Sequence, residues 1–202
     1  MSFDNITSKL FPWLKKWWAS LLLLPYIALT ADMIYKTLRF NIFYAVNYDY
    51  PFPINIAHIF VDNFLLIVHE AGHTFFGIFG FRFLEILGGS LFQILLPLLI
   101  VLYFWVNSGR VGMQFSLFLV GYSWLDVAAY AADAQARQLP LIGNLSDQHH
   151  DWFNLMYRMG SVESGWTVGM VFAVIGILCY LIALFYPLMH REYEEVSLNL
   201  EM

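Results

Sequence analysis

The sequence predicts an all-α fold, a polytopic membrane helix bundle with about five transmembrane helices, and three observations carry that expectation. Hydrophobic residues fill 60% of the 202 positions and charged residues only 12%, about half the charged share of an ordinary soluble domain. The apolar residues gather into long runs, each near the roughly 20 residues that a helix needs to cross a hydrocarbon core. Those runs do not alternate polar with apolar, so strands of a barrel would not fit them, and irregular backbone facing lipid would lose its hydrogen bonds.

Each span follows from its boundaries. Lys15-Lys16 before the apolar run at Trp17 resembles the charged and hydrophobic regions of a signal peptide, but the run continues past Ala28 without a small-x-small cleavage site. We therefore expect an uncleaved first span over Trp17–Tyr35. Breaks bearing Pro, Gly or charge delimit four more, at Ile54–Gly80, Leu84–Val106, Val111–Ala132 and Gly165–Met189. Trp17, Trp18, Trp105 and Trp166 stand near span ends, as interfacial anchors should. Alternating spans with the N-terminus inside would put Lys9, Lys15, Lys16, Arg82, Arg137 and Arg158 on the cytoplasmic side. Lys36, Arg39, Arg110 and Arg191 would then lie outside, and this small excess orients the N-terminus in and the C-terminus out. Gly165-x-x-x-Gly169 could pack helices closely.

The chain reads as a single membrane-embedded domain over residues 1–202, with a short N-terminal segment 1–16 and a solvated C-terminal tail 190–202. A formal charge of −5 supplies no basic surface for nucleic acid. The single cysteine, Cys179, permits neither an internal disulfide nor a cysteine-rich metal site.

Inside the second span stands His69-Glu70-Ala71-Gly72-His73. Residues four apart share a helix face, so His69 and His73 can offer two imidazoles to one tetrahedral zinc ion. In an HExxH arrangement the glutamate between them is no ligand but the general base, which here is Glu70. Its setting adds weight, because an uncompensated charge in a membrane span costs about 2.5–3.5 kcal/mol. A bundle that merely hydrogen-bonds these residues between helices is the plain alternative.

A second polar cluster closes the fourth span. Asp126 and Asp133 lie seven residues apart and so on one face. Asp126 is the deeper and needs a cation or a donor, whereas Asp133 could be solvated. The following loop carries Gln148-His149-His150-Asp151-Trp152, in which His150 is an alternative metal ligand and Asp133 or Asp151 could orient a ligating imidazole. A helix opening with Asp151 as N-cap explains the same residues without metal. Alternating spans bring the ends of the second and fourth helices and this loop to one side. His58 and His190 would sit at the opposite ends of their spans.

Val68-His69-Glu70-Ala71-Gly72-His73 within an apolar helix resembles the site-2 protease family of intramembrane zinc metalloproteases, over roughly Ile54–Asp133. That family's later span carries a Leu-Asp-Gly motif whose aspartate completes the metal site. Here Leu125-Asp126-Val127 matches the Leu-Asp pair and lacks the glycine. Gly88-Gly89-Ser90 and Pro97 are loosely like its small-residue and proline segment. The resemblance implies Zn2+ held by His69, His73 and Asp126, a membrane-protein substrate, and peptide-bond hydrolysis with Glu70 as base. Asp126 also lowers the net charge of a buried ion, which His150 as third ligand would not. A di-iron oxidase or hydroxylase would need a richer histidine set than six, two of them remote. A non-catalytic membrane assembly subunit with a protease-like fold remains the reading from another class. The connection Arg39–Pro53, rich in aromatics, could cover one face of the bundle.

Overall fold

A computed structural model describes residues 3–107 and 109–190, without the side chains of 3–9 and 144; the expected tail beyond His190 lies outside the described residues. Seven helices and no strand occur among them: α1 Phe3–Arg39, α2 Tyr44–Asn47, α3 Ile54–Gly77, α4 Arg82–Val106, α5 Arg110–Ala132, α6 Asp151–Arg158 and α7 Gly165–Met189. Five of them, α1, α3, α4, α5 and α7, are long and apolar enough to cross a membrane. The first begins well before Trp17, so most of segment 1–16 is the opening of α1 rather than a separate piece. Pro25, Pro97 and Pro187 sit inside helices, as is tolerated where neighbouring helices re-satisfy the freed carbonyls.

Helix α5 is the axis of the bundle, because its small residues let two neighbours come close. A Cβ on Gly165 would overlap the Ala131 carbonyl, and one on Gly169 the Ala128 carbonyl. The Gly165-x-x-x-Gly169 motif is therefore used within the chain, to seat α7 on α5. Phe118 stacks on Tyr180 with ring centroids 5.5 Å apart, and Leu125, Ala128 and Ala183 are fully buried around that seam.

Side-chain pairs fix the directions of α1, α3, α5 and α7. Arg110 at the start of α5 donates to the carbonyls of Lys15 (2.8 Å) and Lys16 (3.1 Å). Gln114 donates to Ser20 Oγ (2.8 Å), and Tyr26 packs edge-on against Phe118 at 5.0 Å. Helices α1 and α5 thus run the same way. Ser20 donates to the Leu184 carbonyl and Trp166 to that of Leu38, so α7 runs opposite to α1. Helix α3 also runs parallel to α5, with His58 beside Tyr122 (2.9 Å) and His69 beside Tyr130 (5.9 Å between rings).

The expected alternation therefore fails at its first step: α1 and α3 are parallel. The connection between them turns back along the bundle. Tyr48 donates to Asp32 Oδ2 near the end of α1 (2.6 Å), and Tyr50 stacks on Tyr26, well back along that helix, at 6.1 Å. The non-helical residues 48–51 reach about 13 Å at roughly 3.3 Å each, more than the roughly 9 Å of helix rise between Asp32 and Tyr26, which suffices to return the chain and start α3 beside the middle of α1. Pro51 and Pro53, both exposed, remove two N–H donors that this non-helical connection would otherwise have to satisfy. The Arg39–Pro53 connection does cover a face of the bundle, with Ala45 and Val46 walling a cavity against α3.

One end of the bundle consequently holds the beginning of α1, the α4–α5 connection and the end of α7. The other holds the ends of α1, α3 and α5, the α3–α4 turn and the loop bearing α6. His58 is not at a helix end facing away from the rest but midway along α5, bonded to Tyr122.

Candidate metal centre

The site forms where α3 and α4 are pressed together. A Cβ on Gly72 would strike the Gly88 carbonyl, and one on Gly88 would strike Phe76. At the next residue, a Cβ on Gly89 would overlap the Nε2 atoms of both His69 and His73. Three glycines thus open the room into which two imidazoles point side by side, with ring centroids 4.8 Å apart.

The far side of each imidazole is already committed. His69 Nδ1 lies 2.9 Å from Gln93 Oε1, and His73 Nδ1 lies 2.9 Å from the Glu85 carbonyl. Both partners are acceptors, so both Nδ1 atoms carry the proton. In the neutral rings each Nε2 then presents a lone pair to the cavity.

Those two Nε2 atoms meet one carboxylate oxygen, Asp151 Oδ2, at 3.1 Å each. The sequence around Asp151 explains its placement. His150 is fully buried, its Nε2 is 3.2 Å from Asp133 Oδ2, and its Nδ1 accepts from the Phe153 N–H. The N-cap of α6 is therefore His150 and not Asp151, which leaves the Asp151 carboxylate free to turn inward. Trp152, the next residue, is buried and donates to Ser90 Oγ of α4 at 3.1 Å. Tyr130 completes the frame: its hydroxyl accepts from the Asp151 N–H (3.0 Å) and donates to Oδ2 (3.4 Å). Burial works against the ionised form of Asp151; where the rings carry a proton at Nε2 as well as at Nδ1, their hydrogen bonds outweigh it and bring the Asp151 pKa down to about 2.

Glu70 stands on the same face of α3. One carboxylate oxygen of Glu70 and one ring nitrogen from each histidine lie within 4.8 Å of one another. All of these groups line a cavity of about 820 Å³, which runs on past Asp126 to Asp62 and His58.

The sequence-derived candidates thus separate. His69, Glu70, His73 and Asp151 converge. Asp126 does not reach the imidazoles; its Oδ2 accepts from Gln93 Nε2 at 2.6 Å. His150 has both ring nitrogens engaged in holding α6, and Asp133 accepts from His150 and from the N–H groups of Gln138 and Leu139. His190, beside Tyr186, closes α7 at the other end of the bundle.

Sequence reading missed Gln93, Tyr130, Gly89 and the Glu85 carbonyl. Gln93 carried a signal, since it and Ser90 are the non-aromatic polar side chains in the run Ile86–Val106. Tyr130 lies four residues beyond Asp126 and so on its face. A backbone carbonyl leaves no mark in a sequence.

The donor set suits a divalent cation. Two neutral imidazole nitrogens and a carboxylate oxygen are zinc ligands, and each histidine has the acceptor behind it that ligating histidines ordinarily require. Comparison with protein-family models, curated proteins and solved structures found no match to this chain.

Proposed function

We propose that this protein is an intramembrane zinc metalloprotease, similar in its site to the site-2 protease family, acting on a peptide bond of another membrane protein in or near the bilayer. The observation that carries the proposal is the meeting of two imidazole Nε2 atoms at a single Asp151 oxygen, on the wall of a cavity that Glu70 also lines. His69, His73 and Asp151 are the three protein ligands, leaving room for a fourth position that catalytic sites keep open. Zinc bound there supplies Lewis acidity that activates water and polarises the scissile carbonyl.

The chain's own groups do the rest. Glu70 takes a proton from the attacking water as the C–O bond forms and delivers it to the leaving amine as the C–N bond breaks. Tyr130 and the capped start of α6 hold Asp151 in place. The cavity admits an extended backbone and continues deeper than the ligands, so residues on one side of the scissile bond have somewhere to lie. Its walls, built largely from α1, α3, α4 and α5, fit a multi-pass protein of the cell membrane with a substrate drawn from the same bilayer.

Elemental analysis of purified protein, paired with hydrolysis of a fluorogenic peptide in detergent, is the test. Wild type should carry one zinc per chain and cleave. Glu70→Gln should keep the zinc and lose cleavage, because the change removes a base and no ligand. Two irons per chain, no metal, or full cleavage by Glu70→Gln would each overturn the proposal.

A further inference from the structure

We propose that Gln93 is a positioning residue for the metal centre, and that Asp126 acts on that centre only through it, by fixing which way the Gln93 amide points. The inference rests on the metal reading above and concerns residues that reading does not use. Gln93 is 2% exposed, in the middle of α4. Its Oε1 faces His69 Nδ1 at 2.9 Å and its Nε2 faces Asp126 Oδ2 at 2.6 Å. An amide can be turned over, exchanging its oxygen and nitrogen, so by itself it would accept either tautomer of His69. Asp126 removes that freedom. An ionised carboxylate only accepts, so Gln93 must give it the NH2 and keep the carbonyl for His69. The imidazole must then hold its proton at Nδ1, which leaves the Nε2 lone pair facing His73 and Asp151. The line of bonds has one permitted direction: His69 donates to Gln93, and Gln93 donates to Asp126.

The two histidines differ in this respect. His73 is fixed by the Glu85 carbonyl, a group that cannot invert and that no side-chain substitution removes. The tautomer of His69 depends on a side-chain pair joining α4 to α5. It also gives the Leu125-Asp126 motif a role in which the carboxylate never touches the ion.

An exchange of groups tests this. In Gln93→Leu the acceptor behind His69 is gone, and zinc affinity, read by chelator competition, should fall about 10–100-fold. In a double variant that combines Gln93→Glu with Asp126→Asn, the carboxylate and the amide trade helices. The carboxylate now on α4 accepts from His69 and from the amide now on α5, the charge is unchanged, and most of the affinity should return. Cobalt(II) bound in place of zinc should give the wild-type visible spectrum in the exchange variant and an altered one in Gln93→Leu. Thermal melting checks folding, and should Gln93→Leu fail to fold, the exchange variant decides alone. A folded exchange variant with wild-type affinity supports the proposal, whereas tenfold or greater weakening overturns it. Wild-type affinity in Gln93→Leu would also overturn it while leaving the metal centre standing. Wild type that binds neither zinc nor cobalt would remove the metal reading itself, and this proposal with it.

Discussion

At the scale of single residues the site is a matter of which atom meets which. Asp126 and Asp151 are both carboxylates within reach of the same cavity, yet one bonds an amide and the other faces two imidazoles. That difference makes a prediction about affinity. Asp151→Ala should abolish stoichiometric zinc, falling further than the roughly 10–100-fold that loss of a supporting hydrogen bond costs. Asp126→Ala should fall within that range, and His149→Ala, whose ring faces Ser146, should bind as wild type. Zinc measured on folded protein in detergent gives the order. Stoichiometric zinc in Asp151→Ala together with none in Asp126→Ala would restore Asp126 as third ligand.

At the scale of elements the decisive piece is α6, a helix of eight residues that brings the third ligand to α3. It is short, and holds its position because both neighbours of Asp151 are anchored, His150 to Asp133 and Trp152 to Ser90. Asp133 accepts bonds from His150 and from two backbone N–H groups, so its loss strands the buried His150 donor and leaves two part-buried N–H groups without their acceptor. Removing one partner of a buried pair costs about 3–5 kcal/mol. Asp133→Ala should therefore lower the melting temperature and release zinc together, although Asp133 touches no ligand. A variant that melts like wild type and keeps its zinc would show that α6 is held by other means. Arg137 strengthens the same loop, lying over the Phe153 ring at 4.3 Å and pairing with Asp147 at 3.2 Å.

For the whole molecule, parallel α1 and α3 change the membrane topology. Helix α3 starts mid-bundle, with His58 beside Tyr122, so if α1, α4, α5 and α7 cross a bilayer while the 40–53 connection turns back into the bundle, the start of α1 and the end of α7 share one side. Sequence reading had set the C-terminus opposite the N-terminus. The charge excess behind that orientation also disappears. Lys9, Lys15, Lys16 and Arg110 fall at one end of the bundle, and Lys36, Arg39, Arg82, Arg137 and Arg158 at the other, so the positive residues hardly favour either side. Reporter fusions at the two termini should be active in the same compartment. A single cysteine placed at Gln148, with Cys179 removed, should label from the opposite face. Terminal reporters active on opposite sides would disprove this path of the chain.

Composition and periodicity alone determined that the molecule is helical, which stretches are long enough to cross a bilayer, and that His69, Glu70 and His73 share one helical face. These are properties of residues near one another in the chain: a helix satisfies its own backbone bonds, and a four-residue spacing repeats its direction whatever surrounds it. The grouping of the later polar residues at one end was also legible, since it needs only α3 and α5 to point the same way. The tertiary structure decided the rest. Which carboxylate meets the imidazoles depends on Asp133 and Ser90 anchoring the residues around Asp151, contacts that span 17 and 62 positions of the chain. The direction of α3 relative to α1 depends on an extended connection whose path is fixed by Asp32 and Tyr26 on the helix before it. No local pattern encodes such pairings, because their free energy comes from groups distant in sequence that meet only when the bundle has closed.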